Sequence, residues 1–237
     1  TSNTSIGGMA FGTGVLTGAG NVAVGYATGN QMTAGTKNTL LGASAGESLT
    51  IGNNNVAVGY ESLGLSVDGD ANTAVGYRAL KNYEDGDGNG HNTAIGNSSQ
   101  LNATTGEFNT SLGSLSMGLG VVTGDDNVAI GYRSGYDLTS ATLNTLVGNY
   151  SGANITSAIN NTALGYNTLT SNVVGDNNTA LGFKALEDFV ADTDGHGNNT
   201  AIGANAMANV STGTSNTALG AHAMSAGVTT GNSNIAI

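Results

Sequence analysis

Asn178-Thr179-Ala180-Leu181-Gly182-Phe183-Lys184-Ala185-Leu186 reads almost residue for residue like Asn72-Thr73-Ala74-Val75-Gly76-Tyr77-Arg78-Ala79-Leu80. The first five positions are Asn, Thr or Val, a small residue, an aliphatic residue and Gly. The pattern begins at Asn3, Asn21, Asn38, Asn55, Asn72, Asn92, Asn109, Asn127, Asn144, Asn161, Asn178, Asn199 and Asn216, with a last copy cut off after Asn234. Successive copies stand 17 or 18 residues apart, except for 20 after Asn72 and 21 after Asn178. Self-similarity of this kind decides a fold before any local propensity does.

The spacings contain a longer period. Six copies form a block, 3–108, which recurs as 109–215, and a third block starts over 216–237. The third copy of each block carries Leu in the small slot, at Leu40 and Leu146. Four residues after the motif Gly stands Gly in the second and third copies (Gly29, Gly46; Gly135, Gly152) and Leu in the fourth and fifth (Leu63, Leu80; Leu169, Leu186). A hexad was duplicated.

Within the motif the Thr or Val and the aliphatic residue are two apart, so in a strand they share one face and the small residue takes the other. The motif Gly permits a bend. A second short segment, such as Tyr77-Arg78-Ala79-Leu80, reads as another strand, and a polar stretch such as 121–126 as a turn. Two strands and two turns per 17–18 residues make one coil of a β-solenoid. Gly at 39 of 237 positions and the lack of a 3.6-residue apolar stripe argue against helices. The expectation is an all-β solenoid of fourteen coils forming a single repeat domain, 1–237. The motif Asn (Asn21, Asn72, Asn127 and Asn178 among them) is expected either to form an amide ladder through the stack or to hold a left-handed turn. The motif Gly (Gly25, Gly76, Gly131, Gly182) is structural in the same sense. The recurring Tyr26, Tyr60, Tyr77, Tyr132 and Tyr166 are expected to pack within the stack.

Composition excludes several functions. Five Lys and Arg face sixteen Asp and Glu, for a net charge of -11, so a phosphate-tracking nucleic-acid surface is not expected. There is no Cys for thiol chemistry or a Cys-ligated zinc. No apolar run reaches membrane-spanning length. The core is thin, with four Phe and eight Tyr, and ordering the backbone costs about 1–2 kcal/mol per residue. Burial of the small Ala/Gly face against identical chains is therefore expected. Without a visible cap, the chain reads as a fragment of a longer fibre.

The quoted repeats resemble those of phage tail-fibre proteins, and Asn127-Val128-Ala129-Ile130-Gly131 is similar to the core of YadA-like head repeats in trimeric autotransporter adhesins. That resemblance implies a left-handed parallel β-roll, an intertwined or side-by-side homotrimer, and use as a shaft or adhesive head. The expected role is a structural fibre segment of a virion, contacting adjacent fibre or tail proteins. The alternative is a bacterial cell-surface adhesin that binds host matrix or glycans. An ice-binding solenoid is a minor alternative raised by the recurring Thr. No catalytic group is expected, since His91, His196 and His222 are scattered.

The two long spacers are the candidate sites. Asp85-Gly86-Asp87-Gly88-Asn89-Gly90 matches the first half of a calcium loop, although Gly96 stands where the closing Glu belongs. The equivalent spacer offers Asp192 and Asp194. These residues are the candidate calcium ligands, against the plain alternative of a solvated acidic turn; no other cofactor is expected. Tyr83, Glu84 and Asp85, with Phe189, Asp192 and Asp194, are the candidate contact residues for a host glycan or protein, because insertions in solenoids mark binding faces.

Overall fold

A computed structural model of the chain describes residues 2–12, 15–84, 89–191, 196–226 and 230–237. The described residues form no helix. Each motif copy supplies one short strand: β1 Thr4–Ile6, β2 Val22–Val24, β3 Thr39–Leu41, β4 Val56–Val58, β5 Thr73–Val75, β6 Thr93–Ile95, β7 Thr110–Leu112, β8 Val128–Ile130, β9 Thr145–Val147, β10 Thr162–Leu164, β11 Thr179–Leu181, β12 Thr200–Ile202, β13 Thr217–Leu219 and β14 Ile235–Ala236. The chain divides into two compact units, Thr1–Thr123 and Gly124–Ile237. Each is a β-solenoid with seven of the strands, every strand pairing parallel with the next at the same motif position, as Ala57 does with Ala74 and Ala163 with Ala180.

The expected second strand is absent. Arg78 and Leu80 have φ of 54° and 52°, and the same two left-handed positions recur at Lys184 and Leu186. Alternate left-handed residues curl the chain instead of pleating it, so this side of the coil is a run of turns. The N–H groups of the left-handed residues nonetheless bond to neighbouring coils. The Arg78 N–H donates to the Tyr60 carbonyl at 2.9 Å and the Leu80 N–H to the Ser99 carbonyl at 3.0 Å.

The small residue of each strand points inward. Ala23, Ala57, Ala74, Ala129, Ala163 and Ala180 are fully buried, whereas the flanking Thr and aliphatic side chains stay half-exposed. This corrects the expectation that the Ala/Gly face meets other chains: that face is the interior of the coil. Ala57, Ala74, Ala163 and Ala180 fit there because the opposite wall supplies Leu63, Leu80, Leu169 and Leu186, all buried. Each strand leucine instead lies against two wall glycines, Leu40 against Gly29 and Gly46 and Leu146 against Gly135 and Gly152. A Cβ added at Gly46 would meet Leu40 Cδ2 at 3.0 Å, and one at Gly152 would meet Leu146 Cδ2 at 2.7 Å. These glycines are needed for space rather than backbone freedom, since Leu63 takes φ 50° where Gly46 takes 55°.

The motif Gly has a different reason. Gly165 has φ +139°, and a Cβ there would lie 2.6 Å from the Gly182 carbonyl oxygen of the next coil. Both the conformation and the coil-to-coil approach refuse a side chain.

The motif asparagines form the ladder. Asn38 Oδ1 accepts from the Asn55 backbone N–H at 2.9 Å and from Asn55 Nδ2 at 3.1 Å. Asn38 Nδ2 in turn donates to Asn21 Oδ1 at 3.1 Å and across the coil to the Gly52 carbonyl at 2.7 Å. The second unit repeats the pattern, with Asn178 donating from its backbone and its amide to Asn161 Oδ1 at 2.9 and 3.0 Å. The left-handed residue is the one before the Asn: Asn54 has φ 58°, Leu143 60° and Asn177 57°. The amide therefore braces the coil from inside, while its predecessor makes the corner.

Candidate binding surfaces

The long spacers begin from buried aromatic anchors. Tyr83 and Phe189 are fully buried, the largest side chains to be so. They fill space left by small neighbours: a Cβ at Gly69 would meet Tyr83 Cε1 at 3.0 Å, and one at Gly175 would meet Phe189 Cε1 at 2.7 Å. Neither ring presents a surface to a ligand, so they are corrected from contact residues to core. The Tyr83 hydroxyl donates to the Asn89 carbonyl at 2.9 Å. Glu84 is turned to the fold as well, its carboxylate accepting from the Val67 N–H at 2.9 Å. Tyr83→Phe removes only the hydroxyl and should lower stability by about 1 kcal/mol, read as a small shift in the denaturation midpoint with an unchanged slope.

Of the candidate calcium ligands, Asp85, Asp87, Asp192 and Asp194 lie outside the described residues. Asn89 is described, and its carbonyl serves Tyr83. Among the described residues no three His, Asp or Glu side chains gather to hold a metal ion. The histidines are apart. His91 stacks on Phe108 with ring centres 5.1 Å apart, and the His222 N–H donates to the Ala204 carbonyl.

The tyrosines that follow the motif Gly stand outside the coil, not within it. Tyr26, Tyr60, Tyr77, Tyr132 and Tyr166 are all exposed. The residue before them is the bending Gly, and the residue after them takes the left-handed turn, which leaves the ring on the outer surface. They still stack from coil to coil. In the first unit Tyr60 and Tyr77 lie parallel at 5.6 Å, with the Arg78 guanidinium 4.9 Å from the Tyr77 ring. In the second unit the chain of rings is longer. Tyr132 meets Tyr150 edge-on at 5.4 Å, Tyr150 meets Tyr166 edge-on at 6.2 Å, and Tyr166 stacks on Phe183 at 5.7 Å. The column after the motif Gly has Asn149 at one of these coils, and Tyr150, one residue further, fills the gap. Sequence reasoning missed this ridge because it sought the aromatics inside.

Charge is paired sparingly beside the rings. Glu61 accepts from Arg78 Nε and Lys81 Nζ, each at 2.7 Å. Its carboxyl is held at about 2, chiefly by the Lys81 hydrogen bond and further by those from Tyr60 and Arg78, against partial burial. A carboxyl lowered in the folded state contributes stability that is present above its ordinary range and lost as pH falls through about 2. The stability difference between the native chain and Glu61→Gln should be under about 1 kcal/mol at neutral pH. It should shrink as thermal melts are taken from pH 5 towards pH 2. In the second unit the network is re-cut: Lys184 Nζ pairs with Glu187 Oε1 at 3.1 Å, and Asn167 Nδ2 donates to the same oxygen at 3.2 Å.

Arg133 differs from these cations. Its guanidinium lies 5.3 Å from the Tyr132 ring and 4.9 Å from the Tyr136 ring, and it makes no ion pair among the described residues. Asp137 attracts it electrostatically without closing one, and burial pushes the Asp137 carboxyl above its ordinary range.

The outer strand face is the other regular surface. Leu164, Leu181 and Leu219 are 41 to 47% exposed, beside outward Thr162, Thr179 and Thr217. No protein-family model matches the chain, and no curated protein is significantly similar to it.

Proposed function

We propose that this chain is a structural segment of a fibre, of the kind built into virion tail fibres and similar surface appendages, that works by associating with copies of itself. The observation that carries the reading is the outer strand face. It sets a column of Thr or Val beside a column of Leu, Ile or Val, one of each per coil, half-exposed along each unit. Soluble monomers rarely leave contiguous apolar surface of this kind open. A partner must present apolar groups at the coil spacing of about 4.8 Å, and a second copy does so at every coil. The residues that repeat most strictly, Asn, Ala and Gly, all serve the coil, as a spacer requires. Three chains in a left-handed roll, within an extracellular virion fibre and joined to adjacent fibre proteins, are part of this proposal. The reading needs neither catalysis nor a cofactor.

Light scattering on the purified chain tests it. A mass near three times 23.3 kDa is expected. Leu181→Lys, placed on the strand face, should shift that mass towards a single chain. A single-chain mass for the native protein at tens of micromolar overturns self-association. The alternative, an adhesin head on a bacterial surface, draws its support from the aromatic ridge of the second unit, which the coil itself does not need.

A further inference from the structure

We infer that the ridge formed by Tyr132, Arg133, Tyr150, Tyr166 and Phe183 is a binding surface for a short oligosaccharide carrying an isolated carboxylate. The ridge is not a requirement of the fold. The equivalent positions in the next two coils are Ala204 and Ala221, both exposed, so the coil closes equally well without a ring there. An interface shared by all coils would repeat in all of them. This one covers four coils and stops, a span of about 14 Å at the spacing of stacked strands. That length suits a few sugar rings.

The chemistry narrows the ligand. Tyrosine offers a rigid apolar ring with a polar tip and loses little entropy when it is covered. Tyr132, Tyr166 and Phe183 are 37 to 49% exposed, and the edge-on Tyr150 turns the ridge from a plain stack into one with rings in two orientations. Sugars carry apolar C–H faces and hydroxyls in alternation, and this surface answers both. Arg133 supplies the charge. Held by two tyrosine rings, its guanidinium is pre-oriented, and it makes no ion pair among the described residues. A carboxylate beside the ridge would pair with the terminal nitrogens of this half-exposed guanidinium. The second unit has eight Asp and Glu against two Lys and Arg. It would therefore repel a polyanion, nucleic acid included, while tolerating a single carboxylate at Arg133.

The test uses the whole chain, with sialyllactose and glucuronyl-xylotriose as probes and lactose and xylotriose as neutral counterparts. The chain has no Trp, so intrinsic emission reports tyrosine alone. Saturable change with an acidic probe, confirmed by calorimetry, is expected. Tyr166→Ala should weaken binding at least tenfold, Arg133→Gln should reduce the acidic probe to the level of its neutral counterpart, and Tyr26→Ala, in the other unit, should change nothing. Circular dichroism on each variant checks that the solenoid persists, and Tyr150→Ser replaces Tyr166→Ala should the latter unfold. No saturable binding by any probe, or binding indifferent to Tyr166, Tyr150 and Arg133, overturns the inference. Equal binding of acidic and neutral probes overturns the carboxylate assignment. Light-scattering mass is a separate readout, so failure here leaves the self-association proposal standing.

Discussion

Asn38→Ala should destabilise the first unit by about 3 kcal/mol, because it leaves the buried Asn55 N–H and the Gly52 carbonyl without their amide partner. Chemical denaturation followed by far-ultraviolet circular dichroism gives the number. Volume is a minor part of the loss, and Asn38→Asp separates the two causes. The carboxylate keeps the shape and still accepts from Asn55. It cannot donate to Asn21 Oδ1 or to the Gly52 carbonyl, and it places an unpaired charge among them. That carboxyl must be raised in the folded state. Stability would be greatest below its unfolded range near 4 and would fall as pH rises through the folded value. An Asn38→Asp variant as stable as the native chain at neutral pH would mean that the ladder does not bear on stability.

Leu40→Ala is the second large effect, at about 2–5 kcal/mol for a buried leucine whose cavity cannot collapse. Its interest lies in its partner. Leu40 Cδ2 occupies the place that a Cβ on Gly46 would take, at 3.0 Å. Gly46→Leu alone should cost about 1–3 kcal/mol by overpacking. Together, Leu40→Ala and Gly46→Leu recreate the pairing of Ala57 with Leu63, and Leu63 already accepts the backbone conformation that Gly46 has. The double variant should therefore be more stable than Leu40→Ala alone, with a coupling of about 1–3 kcal/mol measured by a double-mutant cycle. Simple addition of the two losses would show that the walls of the coil do not compensate one another.

The positions of the strands followed from the motif, because parallel in-register pairing repeats the same residue types at the same places. The duplicated hexad also displayed the exchange of Leu and Gly between the two walls, at Leu40 with Gly29 and Gly46 and at Leu146 with Gly135 and Gly152. The two facts were visible separately, and their contact was not. Four readings are turned round: one takes turn residues for a strand, and three, that of Tyr83 and Phe189 among them, concern which side of the chain faces in. Arg78 and Leu80 look like strand residues, since neither favours a left-handed backbone, yet the stack holds them there. The alanines looked like an outer contact face and are the interior. The tyrosines looked like core because they are large and recur, and they line the outside.

The sequence by itself determined the coil length, the stacking of coils and the site of the one strand that each coil keeps, since a translational repeat leaves few ways to satisfy the backbone. It also marked Asn and Gly as the residues that each coil depends on. Only the tertiary structure decided inside from outside. A three-residue strand has one inward position, too few for an alternating pattern to reveal which face is buried. The answer depends on the sign of φ at Gly76, Arg78 and Leu80, which turns the chain back over Ala74 and leaves Tyr77 in solvent.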